Sequence, residues 1–355
     1  MIIITVKNRE KIMLTKEEFN DCFYANYITD CAVRNKNVFA FAARNGEESE
    51  ENDLTGEWNV TKYACRLYMD KEDGQRIGKA TIKGWNRLYC TASILPSKKL
   101  VYISAEGVVY IVGPGVKKKY NINESWINKH MLPDYHGGGP AYFAVYRAKM
   151  LFGYAWICGP RGNVAKSVGD EQWEYKGHPF PDTQDIDALT NQSFQDIDGF
   201  EENDMYAVGG RGMVWHYNGS TWQQIAFPTN MFLYSVCCGE DGEVYIGAQS
   251  GAVFKGRGNR WKQIISGGLA NPFNDMVWFQ GRVWVTSDHG IWTIKDDIIE
   301  QPLIPDEVMA CAGSMSVGDG VLLVAGEGGA AFHNGVLWQS LFLQYEMTQA
   351  VDNPS

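Results

Sequence analysis

The sequence predicts an all-β fold: a seven-bladed β-propeller of four-stranded antiparallel blades. Three observations lead there. The first is internal repetition. Residues 194–227 and 233–266 share one pattern: a short apolar strand, a turn, a second apolar strand ending in small residues, a turn closing on glycine, an alternating strand, a glycine turn, then tryptophan and a fourth strand. Residues 274–304 and 313–343 repeat it. The second is spacing. Gly212, Gly251, Gly290 and Gly329 follow one another at equal intervals of 39 residues. The third is composition. Glycine makes up 38 of 355 residues, roughly 11% against a usual ~7%, as expected for many short strands joined by tight turns. A four-stranded unit of this length cannot bury both faces of its own sheet, so units stack around an axis.

The elements follow in chain order. Residues 1–27 precede the first clear unit. Within them residues 2–6 and 11–14 read as strands, and Thr15 with Glu18 forms a capping box that opens a helical turn. This segment is expected to pair with the last blade or cover it. The propeller proper is residues 28–343. Turns like those of the later repeats occur at Gly46, Gly107 and Gly162. With Gly212, Gly251, Gly290 and Gly329 they make seven. Trp85, Trp126, Trp173, Trp222, Trp261 and Trp338 give a parallel count, with one tryptophan missing near Glu300. Residues 244–248 are small or apolar throughout, as for a strand covered on both faces, whereas residues 213–217 are mixed. Residues 344–355 are polar and are expected to fray.

The chain carries 32 basic and 42 acidic residues, a net charge of -10. That balance argues against a phosphate-neutralising surface, and so against a nucleic-acid partner. No stretch approaches 18 apolar residues, and the longest apolar run, residues 141–158, is broken by Arg147 and Lys149, so no membrane partner is expected. The eight cysteines form no Cys-x-x-Cys pair, and adjacent Cys237 and Cys238 point to opposite faces of a strand. Free core thiols and a cytoplasmic setting are the expectation.

The turns Gly219-Ser-Thr-Trp222, Gly258-Asn-Arg-Trp261 and Gly335-Val-Leu-Trp338 resemble degenerate Asp-box repeats. Such repeats belong to sialidase-type (BNR-like) propellers and to photosystem-assembly-factor-like propellers. The resemblance covers residues 190–343 well and 28–190 loosely. A full Asp box reads Ser-x-Asp-x-Gly-x-x-Trp; only Ser167–Trp173 approaches it, with shifted spacing. The resemblance therefore implies a fold rather than an activity.

A sialidase needs an axial arginine cluster and paired carboxylates. Arg161 and Arg211 occupy equivalent turns, with Arg44 one residue off the matching slot, but the Phe/Tyr-Arg-Ile-Pro opening motif is missing from the sequence. Exposed Gly-Arg-Gly turns are also a common solvated arrangement. His136-Gly-Gly-Gly139 has no Gly-x-Ser-x-Gly elbow to accompany it, and Gly74–Lys79 falls one residue short of a phosphate loop. The histidines show no metal-ligand spacing, and His216 and His333 recur at one repeat position. No catalytic residue, cofactor or metal is expected.

The reading that remains is a non-catalytic protein-binding propeller, in particular an immunity- or inhibitor-type protein that masks a basic toxin with one end face. A sialidase-like glycan-acting enzyme and an assembly-factor or scaffold propeller stay open as alternatives. The expected contact face gathers the turns between second and third strands, with the loops 127–140 and 177–192 as walls. Its candidate partner-binding residues are Tyr135, His136, Arg161, Arg211, Asp288, His289 and Glu327. The acidic segment 182–204 is expected to steer a basic partner.

Overall fold

The computed structural model describes residues 14–51, 57–122, 144–177, 191–269, 271–287 and 290–353. Seven four-stranded antiparallel sheets follow one another along the chain, each a simple meander. Blades 1 to 7 cover residues 26–82, 88–121, 147–175, 194–225, 233–266, 275–300 and 314–343. The first strand of every blade packs against the first strand of the next, and that of blade 7 returns to that of blade 1. These seven strands therefore surround the axis. Second strands are sandwiched between neighbouring blades: Val244–Ala248 and Val321–Gly326 are buried at every residue. Third strands range from mixed, as in Met213–Tyr217, to buried throughout, as in Gly329–His333, and the fourth lie outermost.

Gly107, Gly212, Gly251, Gly290 and Gly329 immediately precede or open a third strand and Gly162 lies two residues before one, but Gly46 instead opens the helix Gly46–Glu51, and the third strand of blade 1 begins only at Lys62. At Gly212 the backbone is left-handed, with φ +67, and an added Cβ would lie 1.8 Å from the carbonyl oxygen of Thr229. Only glycine fits there, and positive φ returns at the matching glycines Gly251 (+72) and Gly329 (+138), which underlies the 39-residue beat of the later blades.

The tryptophan count needs correction in the first two blades. Trp173, Trp222, Trp261 and Trp338 do sit at the start of fourth strands. Each reaches back to the preceding blade. Trp173 donates Nε1–H to the Tyr120 hydroxyl at 2.9 Å, and Trp222 donates to the Lys176 carbonyl at 3.2 Å. Trp261 packs on Phe227, and Trp338 on Trp284 with ring centroids 5.5 Å apart. Trp85, however, follows the last strand of blade 1 and packs between blades 1 and 2. Trp126 lies outside the described residues. In blade 6 the slot holds Ile298, which is 64% exposed at the start of a three-residue strand. Trp222 and Trp261 are half-buried rather than buried, whereas Trp173 and Trp338 are 8% exposed.

Among the described residues no strand is exchanged to close the ring; blades 1 and 7 each supply their own four. Near the axis Val33 N–H donates to Ser316 Oγ at 3.0 Å. At the outer edge, the helix Lys16–Cys22 is capped by Thr15 and Glu18 as the sequence indicates. Phe23, just beyond it, stacks on Phe342 of blade 7 at 4.5 Å, and Leu14 N–H donates to the Leu341 carbonyl at 3.1 Å. Glu18 has a second task that the capping motif did not announce. Its carboxylate pairs with Arg76 at 2.6 Å and accepts the backbone N–H of Gly74 and of Arg76, clipping the helix to blade 1. The C-terminal residues, read as fraying from their polarity, form the helix Gln344–Asp352, which packs on the first helix. The strands expected at residues 2–6 and 11–13 lie outside the described residues. All eight cysteines are free. No helix of the described residues is long and apolar enough to cross a membrane.

The tryptophans generate a graded prediction. Trp338→Ala should cost about 3–5 kcal/mol, as for a buried aromatic removed from a core, and half-buried Trp261→Ala distinctly less. Chemical denaturation of the two variants measures both; equal costs would show that the preceding blade does not hold these rings.

Candidate functional site

The residues that meet at the axis come from inner strands. Asp30, in the inner strand Asn26–Asn35 of blade 1, accepts the N–H of Cys31 at 2.9 Å and that of Cys90 in blade 2 at 2.8 Å. Asp196 in blade 4 does the same with Ile197 at 2.9 Å and with Val236 of blade 5 at 2.8 Å. Asp275 in blade 6 takes Met276 at 3.0 Å and Met315 of blade 7 at 2.9 Å. Asp198 repeats the pattern with Gly199 at 2.9 Å and Cys238 at 2.8 Å. In each case one carboxylate oxygen holds the residue's own strand and the other holds the next blade. Inner strands lack a strand partner on the axial side, and these aspartates satisfy part of that exposed edge.

The cations that offset them come from blade 3. Arg147 and Lys149 are two apart in the inner strand Arg147–Leu151, so both project to one face, with buried Ala148 on the other. Lys149 Nζ donates to Asp196 Oδ2 at 2.8 Å. Arg147 reaches across the channel to blade 6, where Nη2 donates to the Asn274 carbonyl at 2.6 Å and Nη1 lies 3.8 Å from Asp275. Its Nε is 3.4 Å from Asp196. Ser314 of blade 7 donates its hydroxyl to Asp30 at 2.8 Å.

Four carboxylates thus face two cations. Burial pushes Asp30 up to about 6 against the pull of the Cys90 N–H and Arg147, and burial likewise pushes Asp198 up to about 6 despite Lys149. Burial disfavours the charge on Arg147 and Lys149, but the surrounding aspartates outweigh it and hold both cations well above their ordinary range. Beside this network lies a cavity of about 240 Å³. Its lining includes Thr91, Lys149, Asp198, Glu240 and Trp278, drawn from the middle and far ends of the inner strands. It therefore lies toward the face that carries the hairpins between first and second strands.

The sequence-predicted contact residues lie on the opposite face. In a meander blade the turns between second and third strands share one end with the blade-to-blade loops, as expected. Arg161 and Arg211 sit in such turns, each in the left-handed region with φ 59 and 53, like Ser250 with φ 58. Such a backbone costs energy for a side-chain-bearing residue. Glu327 is exposed in the matching turn of blade 7. Tyr135, His136, Asp288 and His289 lie outside the described residues. Arg44 does not join the two arginines; it pairs with Glu57 at 3.0 Å.

The acidic segment needs a larger correction. Asp196 is fully buried and, with Asp198, belongs to the axis rather than to a steering rim. Glu202 is paired with Lys166 at 2.7 Å, and Asp204 with His216 at 2.8 Å and with Arg257. Asp182, Asp185 and Asp187 lie outside the described residues. Sequence reading also passed over Arg147 and Lys149, noting them only as interruptions of an apolar run. An aspartate followed by an apolar residue at the same place in several repeats (Asp30-Cys31, Asp196-Ile197, Asp275-Met276) was the available signal.

Chemically the axial set is built for cohesion. Every carboxylate in it has both oxygens occupied by backbone N–H groups, which leaves none poised as a free acid and base pair. Among the described residues no group of three His, Cys, Asp or Glu side chains could hold a metal ion.

No protein-family model matches the chain. Among curated proteins it is similar to the immune protein Tsi7 of Pseudomonas aeruginosa, with 25% identity over 284 residues, 80% of this chain and 87% of that protein. Solved propellers share its fold. YCF48 from Cyanidioschyzon merolae aligns with a TM-score of 0.55 at 11% identity, over 87% of this chain and 95% of that one. A structure described as YCF48 bound to D1 peptide aligns at 0.52 and 11% identity, over 88% and 94% of the two chains. Saccharomyces cerevisiae Sqt1 aligns at 0.55 and 12% identity, over 91% and 86%.

Two outcomes follow from the axis. Asp196→Ala strands Lys149 and weakens the hold on Arg147, and should cost about 3–5 kcal/mol in chemical denaturation, as when one partner of a buried ion pair is removed. The second concerns pH. A carboxyl whose folded value is raised contributes stability that is present at low pH and lost as pH rises through that value. Asp30 and Asp198 should therefore favour the fold more at pH 5 than at pH 7.5. Asp198→Asn removes one of these two contributions, so its melting temperature relative to the unsubstituted chain should be lower at pH 5 than at pH 7.5. An unchanged gap would mean that Asp198 does not titrate in this window.

Proposed function

We propose that this chain is a non-catalytic, immunity-type propeller that neutralises a protein toxin by covering it with one end face of the disc. The observation that carries the proposal is the similarity to an immune protein along 80% of the chain, which amounts to most of the ring rather than one blade. The axial chemistry agrees: the carboxylates that a glycosidase would need are spent on holding blades together. Net charge of -10 makes a basic toxin the natural partner. A second reading, a peptide-binding assembly or scaffold propeller, draws on the structural likeness to YCF48, one structure of which is described as holding D1 peptide. Both readings make the chain a binder of protein.

The two faces offer a partner different surfaces. One presents Arg161, Arg211 and Glu327 in rigid turns; the other presents the cavity mouth with Glu240 and Trp278. A partner captured from the native cell and purified allows a direct test with Arg161→Ala/Arg211→Ala and, separately, Glu240→Arg. With melting curves intact, one of the two variants should lose at least about tenfold in affinity, the size expected of a central contact. Affinity kept within about twofold in both would exclude the end faces and end this proposal. With a basic partner, association should also slow as salt rises from about 0.05 to 0.5 M, because screening shortens the reach of the acidic surface.

A further inference from the structure

We infer that the axial cavity on the hairpin face is a binding site for one cationic side chain, lysine or arginine, presented by the protein partner. The inference rests on the binding reading above and names the chemistry that reading leaves open.

Three features carry it. The first is charge that stays unbalanced. Asp30, Asp196, Asp198 and Asp275 face only Arg147 and Lys149, and both cations are already engaged, Lys149 with Asp196 and Arg147 with Asn274, Asp196 and Asp275. Asp198 faces the cavity with no cation in contact, and Glu240 adds an exposed carboxylate at its edge. A cation arriving here meets an excess of negative charge in a recess partly enclosed by protein, where attraction is stronger than at an open, water-covered surface.

The second feature is a polar group without a partner. Thr91 lines the cavity, is 1% exposed, and its hydroxyl makes no hydrogen bond. A buried hydroxyl in that condition is uncommon and costs free energy until it is satisfied. Its oxygen can accept from an ammonium or guanidinium. Thr91 is on blade 2, one residue after the Cys90 N–H that Asp30 holds; at the matching position of blade 7 the Ser316 hydroxyl is engaged, accepting Val33 N–H at 3.0 Å.

The third is shape and an aromatic surface. About 240 Å³ has room for one long side chain but not for a folded segment. Trp278 forms part of the wall, half-buried and packed on Tyr245 at 6.2 Å between ring centroids. An indole face is the best of the aromatic partners for a cation. An anion is disfavoured at the same place, because the two cations that would attract it are outnumbered by the carboxylates beside them.

The test needs no toxin. Three cavity-lining methionines, Met150, Met276 and Met315, serve as reporters when their methyl groups carry carbon-13. The probes are N-acetyl-lysine methylamide, N-acetyl-arginine methylamide and, as the neutral control, N-acetyl-norleucine methylamide. The expected result is saturable movement of these methyl signals in nuclear magnetic resonance spectra with the lysine or the arginine probe, and none with norleucine. Which cationic probe binds more tightly identifies the head group. Thr91→Val and Glu240→Gln, both near-isosteric, should each weaken the cationic probe by roughly tenfold, the scale of a lost hydrogen bond to a charged group, while melting curves hold. Static methyl signals up to the solubility limit, equal movement with norleucine, or unchanged affinity in both variants would overturn the inference. If the probes fail while Glu240→Arg still abolishes toxin binding, the cavity assignment falls and the function stands. If the probes bind but no protein partner is ever captured, the reverse holds.

Discussion

A carboxylate that bonds two backbones at once is the interaction on which this ring depends. Inner strands have a free edge toward the axis, and a propeller cannot cover it with another strand. Asp30, Asp196 and Asp275 each accept an N–H from their own strand and one from the next blade. The angle between neighbouring blades is thereby fixed by short hydrogen bonds at the centre, where small errors would accumulate into failure of closure. Charge-assisted bonds of this kind are stronger than neutral ones, but they bury negative charge. Arg147 and Lys149 supply the compensation, and because Arg147 crosses from blade 3 to blade 6, the compensation is also a brace.

Closure at the periphery uses different means. Where many rings share a strand between first and last blades, here each blade is complete. Apolar packing of Phe19 and Phe23 on Phe342 joins the two ends, and the Glu18–Arg76 pair ties the first helix to blade 1. Between the other blades the outer tryptophans do similar work by leaning on the preceding sheet. Blade 6 departs from this rule, with a short outer strand and an exposed Ile298 in the tryptophan slot. Stability in this ring is therefore distributed as axial hydrogen bonds inside and aromatic contacts outside.

The same axial arrangement bears on function. Raised carboxyl groups in a cleft often mark a catalytic acid, and Asp30 and Asp198 are of that kind. Their hydrogen bonds argue the other way, since a group that holds two strands in place cannot also move a proton and swing toward substrate. What remains after the blades are secured is a residue of negative charge beside an open space. That is a feature of recognition, and it agrees with the acidic composition of the whole chain.

The sequence by itself determined the fold and its number of blades. Local rules write those into every repeat: a left-handed turn demands glycine at Gly212 and Gly251, a doubly covered strand demands small or apolar residues at 244–248, and a helix start shows in the spacing of Thr15 and Glu18. Such requirements act within a few residues and survive in a single chain. The axial site was not legible in the same way. Asp196 and Asp198 look like two more acids in an acidic stretch, and Arg147 and Lys149 look like solvated breaks in an apolar run, because nothing within their own segments records that blades 3, 4 and 6 converge. Only the tertiary structure decided which charges are buried, which are paired, and on which face the cavity lies. The physical reason is that a charge takes its meaning from the groups across the axis, and those are separated from it by several blades of chain.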